Sequence, residues 1–368
     1  MCSVVISGFY GFKNAGDEAI LQSMVIELRK ADADIKIVVL SADPLRTADE
    51  HNVQAVNRSD MYQVFKAIQH CDILISGGGS LLQDATSVFS MWYYSGVILL
   101  AFLLRKPVFA YAQGIGPIVN KFNMKLLKYI MNRVFNISVR DLRSQSELKS
   151  LGVNREVSCT IDPAFLIDLP SRDESLKILE IENGGVKLHR PRVGFSIREW
   201  KGNVDVTGII AAVGDRVDSE LHADVVLFPL HYQKDIELAR EIAHKMQVKP
   251  TIISNDYSSS ELMGLYGLMD INVCVRYHGL VFSIMNCTPM VAISYDPKID
   301  SLMDAMGMED VLKYEELNSE AVFNAIKDKW SDRSNLSKRI GEKTEEFKFL
   351  AREGINEVTN LIKSIKKS

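Results

Sequence analysis

VVISGFYGFKNAGDEAIL, Val4 to Leu21, passes from an apolar run through a loop with three glycines into a helical pattern. A short run that is apolar throughout suits a strand buried on both faces, as in a parallel sheet. The loop then sits at the carboxyl end of a first strand, where doubly wound sheets hold their ligands. Its glycines, Gly8, Gly11 and Gly16, do not make the dinucleotide fingerprint, and LSADP after the second run offers only Asp43 as the acid that fingerprint requires. The pattern argues against a nicotinamide enzyme.

The same alternation continues outward from this stretch. β-rich runs at 35–40, 53–56, 72–76, 107–112, 137–140 and 157–161 are separated by helix-length patterns such as 17–29, 62–70, 120–134 and 144–151. Asp168–Arg192 is polar, with Gly and Pro, and reads as an interdomain linker. Beyond it β-rich runs return at 192–197, 224–230, 250–254, 271–275 and 289–294, with helical patterns at 205–221, 234–246, 259–268 and 278–286. Alternating β and α signals predict a parallel sheet covered by helices, here twice. A length of 368 residues also suits two cores better than one. The expected class is α/β with two doubly wound domains, 1–170 and 186–330, followed by C-terminal helices over 331–368.

Composition narrows the function classes. Hydrophobic content of 47%, charged content of 24% and a net charge of -4 without large charge blocks describe a globular protein and argue against phosphate-neutralising nucleic-acid binding. The five cysteines, Cys2, Cys71, Cys159, Cys274 and Cys287, form no CxxC pair or metal-ligand cluster, so a reducing cytoplasm and no metal are expected. With the first strand only a few residues after Met1, no secretory leader is expected. The apolar stretch Trp92–Leu104 is shorter than the roughly 20 residues that span a bilayer. A buried core helix and a patch that touches membrane or a partner both stay open for it. Lys363, Lys366 and Lys367 at the chain end suit a helix macrodipole, with a lipid-facing basic end as the alternative.

The loops after the strands carry the candidate chemistry. SGGGSLLQD, Ser76–Asp84, reads as a tight glycine-rich turn into a helix whose amides favour an anion. RYHG places Arg276 and His278 at the end of a strand, Lys298 ends SYDPK, Arg198 ends FSIR and Arg140 ends SVR. Taken singly each has an ordinary explanation: Arg140 is followed by Asp141, and Lys298 lies near Asp296 and Asp300. Together, cationic or protonatable side chains at strand mouths, with no paired carboxylates opposite, point to a small polyanion met directly by side chains.

These stretches, together with VLSADP, AVNR, ILISGGGSLLQDATS, YAQGIGP, DPAFL, GFSIREW and FPLHYQKD, resemble in order and spacing the polysaccharide pyruvyl transferases of the CsaB type. The resemblance covers most of the chain. It implies a GT-B-like fold with two Rossmann-like domains facing a central cleft. It also implies transfer of pyruvate from phosphoenolpyruvate (PEP), as a 4,6-ketal, to N-acetylmannosamine of a lipid-diphosphate-linked secondary cell-wall polymer precursor, which serves S-layer anchoring. On this likeness His278, Arg140 and Lys298 are catalytic, and Arg276, Arg198 and Gly279 bind the donor. RYHG and SIREW stand where RLHA and SLRPW are commoner. Lys13, Asn14, Asp17, Gly77, Gly78, Gly79 and Ser80 are expected on the acceptor side. No cofactor beyond the donor substrate, no nucleic acid and a cytoplasmic location are expected, with peripheral contact at the inner membrane face left open.

Two alternatives remain. A GT-B glycosyltransferase would hold a nucleotide-sugar diphosphate with the same cations, and DYSSSEL supplies Glu261 as a ribose partner. A member without catalysis would only bind cell-wall glycans.

Overall fold

The computed structural model describes residues 2–84 and 88–367 and divides into two compact units, Met1–Ile167 with Phe347–Ser368, and Asp168–Glu346. In the first unit the strands are β1 (Ser3–Tyr10), β2 (Lys36–Ser41), β3 (Gln54–Asn57), β4 (Ile73–Leu82), β5 (Val108–Ile115), β6 (Asn136–Val139) and β7 (Ser158–Cys159). They form one sheet in the order β3-β2-β1-β4-β5-β6-β7, with every pair parallel. Between them run α1 (Ala15–Ala31), α2 (Pro44–His51), α3 (Met61–His70), α4 (Val88–Leu103), α5 (Lys121–Met131) and α6 (Leu142–Ser150).

The second unit repeats the plan. After α7 (Arg172–Glu182) come β8 (Arg192–Ser196), α8 (Val206–Leu221), β9 (Asp224–Leu227), α9 (Tyr232–Lys245), β10 (Thr251–Ile252) and α10 (Ser259–Tyr266). Then follow β11 (Ile271–Cys274), α11 (Tyr277–Met285), β12 (Met290–Ser294), α12 (Pro297–Ala305), β13 (Leu312–Lys313) and α13 (Ser319–Lys367). The sheet order is β10-β9-β8-β11-β12-β13. Phe195 on β8 lies opposite Leu227 on one side and Val273 on the other.

Burial explains why the runs lack alternation. Val5, Leu74, Val108 and Ala110 from the first sheet pack with Ile98 of α4 and Leu127 of α5. Val193, Phe195, Val225, Val273 and Val291 of the second sheet pack with Ile210 of α8 and Phe323 of α13. Strands covered on both faces bury successive side chains alike. α4 is the core helix expected at Trp92–Leu104, with Met91, Tyr94, Val97, Ile98 and Ala101 buried.

Two local expectations change. The polar stretch read as a linker contains α7, which Ser171 and Glu174 start with a reciprocal capping box. The glycine run after Ser76 is not a turn into a helix: Gly77, Gly78 and Gly79 lie inside β4, with Gly77 opposite Tyr111 and Gly79 opposite Gln113, and α4 begins only at Val88. The C-terminal pattern is one helix of 49 residues. Of its terminal lysines, the side chains of Lys366 and Lys367 lie outside the described residues.

Candidate functional site

The chain order of the second sheet reverses between β8 and β11. Such switch points, at the carboxyl edge, are where open α/β sheets receive ligands. Arg198 follows β8, Lys234 follows β9, Arg276 and His278 follow β11, and Tyr295 and Lys298 follow β12. Arg198 Nη1 donates to the Tyr295 hydroxyl at 2.8 Å. Its guanidinium carbon sits 4.8 Å from the Trp200 ring centre and 4.5 Å from that of Tyr295. Lys298 Nζ lies 5.5 Å from the Tyr295 ring. Burial alone would push the Tyr295 phenol up, yet Lys298, Arg198 and Arg276 together hold it below its ordinary value. Burial, then repulsion from Arg276 and Arg198, likewise lowers the Lys234 ammonium. One phenol and one amine thus both sense Arg198 and Arg276, so residues from four loops share one electrostatic neighbourhood.

Specific partners hold this charge in place. Arg276 Nη2 donates to Asp235 Oδ1, and the other Asp235 oxygen accepts from the His231 backbone N–H at 2.8 Å. Lys298 Nζ stands 3.7 Å from Asp296, which caps α12 by accepting from the Lys298 N–H. Asp300 pairs instead with Lys313. His278, the second residue of α11, is partly exposed and stands edge-on to Tyr277 at 5.1 Å between ring centres. Arg276 occupies the N-cap of α11 without capping it by its side chain. Gly279 answers a packing demand, since a Cβ there would lie 2.4 Å from Ser196 Oγ and 3.2 Å from Cys274 Sγ and the Tyr266 hydroxyl.

In the first unit the order reverses between β1 and β4, and the residues expected on the acceptor side flank that point. Lys13 has a φ of +55° and leads into Asn14, which caps α1 and donates to Asp17 Oδ2 at 2.5 Å. The Tyr10 hydroxyl donates to Gly77 O at 2.9 Å. Gly78 and Gly79 have φ of +62° and +76°, and a Cβ on Gly79 would stand 3.0 Å from Asp17 Oδ1. The Asp17 carboxylate therefore lies directly against the glycine segment. Ser80 Oγ accepts from Arg140 Nη2 at 2.8 Å. Arg140 is buried and lies 3.6 Å from both Asp141 and Asp162, so its charge is matched locally. The catalytic and donor set expected from the sequence thus divides between the units: Arg140 belongs to the first, and Arg198, Arg276, His278, Gly279 and Lys298 to the second.

Among the described residues, Glu18, Glu50 and His51 bring ligand-type atoms within 4.8 Å of one another. Arg46 Nε already donates to Glu50 at 2.6 Å, and Glu18 Oε1 accepts from the Gly11 N–H at 2.8 Å, so both carboxylates already have protein partners. Burial pushes the Cys274 thiol up to about 12, far from a nucleophile at neutral pH.

Residues 14–297 match the family model for polysaccharide pyruvyl transferase. The chain belongs to that family. Its members' role is pyruvyl transfer in polysaccharide biosynthesis, so the protein is a transferase of that pathway class. It is similar to the amylovoran biosynthesis protein AmsJ of Erwinia amylovora, 19% identical over 373 residues that span 84% of this chain and 87% of that protein. Among solved structures it resembles MnaA of S. aureus in complex with UDP, at TM-score 0.64 and 12% identity, over 99% of this chain and 97% of that one. The UDP-GlcNAc 2-epimerase from Neisseria meningitidis bound to UDP-GlcNAc is similar too, at 0.64 and 12%, over 98% and 99%. A glycosyltransferase from Rickettsia africae matches at 0.62 and 14%, over 100% and 99%. At these identities the likeness carries the fold alone: two Rossmann-like halves of the GT-B-like kind.

In this pyruvyl transferase family member, sequence reasoning singled out the strand-end cations but passed over Lys234, Tyr295 and Arg58. The first two stood inside quoted motifs, HYQKD and SYDPK, directly after apolar runs. Arg58, in AVNR, donates to Gly8 O and to the Tyr94 hydroxyl and stacks on Tyr93 at 4.1 Å, steadying the first loop.

Proposed function

We propose that the protein transfers pyruvate from PEP to two hydroxyls of one sugar as a ketal, with the second-unit cluster holding the donor. The single observation that supports this reading is the convergence of Arg198, Arg276 and Lys298 on Tyr295, with Lys234 close to Arg198 and Arg276, beside a switch point. PEP bears a phosphate and a carboxylate, and cations with fixed geometry are the partners such a ligand needs. His278 protonates the PEP methylene, which makes C2 electrophilic. One sugar hydroxyl adds to C2 and returns a proton to His278, the C2–O bond to phosphate breaks, and the second hydroxyl closes the ketal as its proton leaves with phosphate. A general acid of this kind contributes about 10² to 10⁴-fold.

The acceptor in this reading is an N-acetylmannosamine unit of a lipid-diphosphate-linked cell-wall polymer precursor, modified at positions 4 and 6 on the cytoplasmic side for later S-layer anchoring. Lys13, Asn14, Asp17 and the Gly77–Ser80 segment supply its hydrogen bonds, and Arg140 orients Ser80. Replacing His278 by Ala and following phosphate release from PEP plus acceptor tests the assignment. Activity retained within about tenfold would remove His278 from the acid role. Mass spectrometry of a synthetic disaccharide-diphosphate-lipid after incubation with PEP tests the acceptor by the gain of one pyruvyl group.

A nucleotide-sugar donor is the second reading, since solved structures of similar fold hold UDP. Its ribose candidate, Glu261, spends its Oε2 on the Ser258 N–H and hydroxyl at 2.8 and 2.7 Å in a capping box. Calorimetric binding of UDP without PEP would favour it and sink the PEP assignment.

A further inference from the structure

We propose that the N-terminal ends of α4 and α5 form a docking surface for an anionic lipid bilayer. Phe89, Trp92, Val119 and Phe122 are 80%, 49%, 74% and 65% exposed, a degree of apolar exposure that scattered surface residues do not explain when they adjoin. They do adjoin. The Phe89 and Trp92 rings lie 6.1 Å apart, and Trp92 Nε1 donates to Asn123 Oδ1 at 3.0 Å, tying α4 to α5 one residue from Phe122. The buried Asp84 carboxylate fixes the frame by accepting from the Val119 and Asn120 N–H groups and from Asn123 Nδ2. The aromatic rings are therefore presented on a rigid support, at the end of the strand that carries Gly77–Ser80.

Charge selects the occupant. From residue 85 to residue 140 the chain has no Asp or Glu, in a protein where acids average about one residue in eight. The same stretch carries Lys121, Lys125, Lys128 and Arg133 along α5 and just beyond it, all exposed, with Tyr129 stacked under Arg133 at 3.7 Å. A basic helix face with aromatic residues at its edge suits the headgroup region of an anionic membrane, where rings sit at the polar boundary and lysines meet the surface potential. A second copy of the chain fits poorly, because an isologous contact would set this basic face against itself. Among the described residues no helix is long and apolar enough to cross a membrane, so the contact is peripheral. The proposal concerns where the chain sits and is read without turnover, so it stands or falls apart from the PEP assignment.

The test is co-sedimentation of the full chain with phosphatidylcholine vesicles and with vesicles that also contain phosphatidylglycerol. Binding is expected to the anionic vesicles and to weaken with added salt. Lys121→Glu/Lys125→Glu should lower partitioning by about tenfold or more, and Phe89→Ser/Phe122→Ser should abolish it. Leu45→Ser, at an exposed position of α2 outside the patch, should leave partitioning unchanged; thermal melts confirm that all variants fold. Absence of sedimentation with anionic vesicles would overturn the proposal, as would equal binding by the charge-reversal variant. A concentration-dependent dimer in sedimentation velocity that Phe89→Ser/Phe122→Ser dissolves, without vesicle binding, would assign the patch to self-association instead.

Discussion

Replacing Arg276 by Gln removes the cation that accompanies Asp235, whose side chain is 4% exposed, while that of Arg276 is 12% exposed. Breaking a buried pair from one side costs about 3–5 kcal/mol, because the remaining charge is left in a poorly solvated place. For a unit of this size about 2–4 °C accompanies each kcal/mol, so the melting transition of the second unit should fall by roughly 6–20 °C. Adding Asp235→Asn removes the stranded charge and keeps an oxygen for the His231 N–H, so at least half of the loss should return. Ligand affinity should behave differently. A hydrogen bond to a charged group contributes about 1.5–3 kcal/mol, so PEP should bind roughly 10- to 150-fold more weakly to both variants. Scanning calorimetry reads the first quantity and titration calorimetry with PEP the second. Wild-type PEP affinity in the double variant would refute the donor role of Arg276; an Arg276→Gln transition within 2 °C of wild type, on the scale of about 2–4 °C per kcal/mol, would refute the buried-pair reasoning.

Three further outcomes follow from single sites. Gly279→Ala forces a methyl group to within 2.4 Å of Ser196 Oγ; overpacking costs about 1–3 kcal/mol against a helix gain near 1 kcal/mol. Ser196→Ala vacates that space, so the two changes should couple favourably by about 1–2 kcal/mol in urea unfolding followed by fluorescence of Trp200 and Trp330. Burial opposes ionisation of Asp84, yet its bonds from Val119, Asn123 and Asn120 hold its pKa below the ordinary carboxylate value. Its stabilisation is therefore complete above the unfolded pKa near 3.9 and is lost as pH falls through the lower folded value. Asp84→Asn should destabilise at pH 7 by about 1–3 kcal/mol, and the deficit should shrink toward pH 3 in thermal melts. Lys234 is held low by burial and by Arg276 and Arg198; an anion bound beside them offsets the repulsion and raises it again. PEP binding should then take up protons at alkaline pH, detected as a buffer-dependent enthalpy in titration calorimetry, and a buffer-independent enthalpy would separate Lys234 from the ligand.

The strands were legible wherever burial on both faces made a run apolar throughout, as at Val4–Ser7 and Met290–Ser294. α7 was missed because its stretch is polar overall, although Ser171 and Glu174 already spelled a capping box three residues apart. Three consecutive glycines look like a turn in isolation. Here β5 supplies a ladder partner for Gly77 and Gly79, so long-range pairing overrides the local preference. The cations of the site could be found one by one, because each ends an apolar run. That Lys234 and Tyr295 stand among them depends on β9 and β12 flanking β8 and β11. Strand order is set by which crossovers bury the most apolar surface, and no local spacing encodes it. Arg140 makes the same point from the other side: Asp141 is its neighbour in sequence, but Asp162 reaches it only because the loop after β7 returns to the end of β6. A charge that looks available in the sequence is thus already matched in the fold, whereas Arg198, whose neighbours Glu199 and Trp200 suggest an ordinary surface position, is the one held between two aromatic rings and aimed at a phenol.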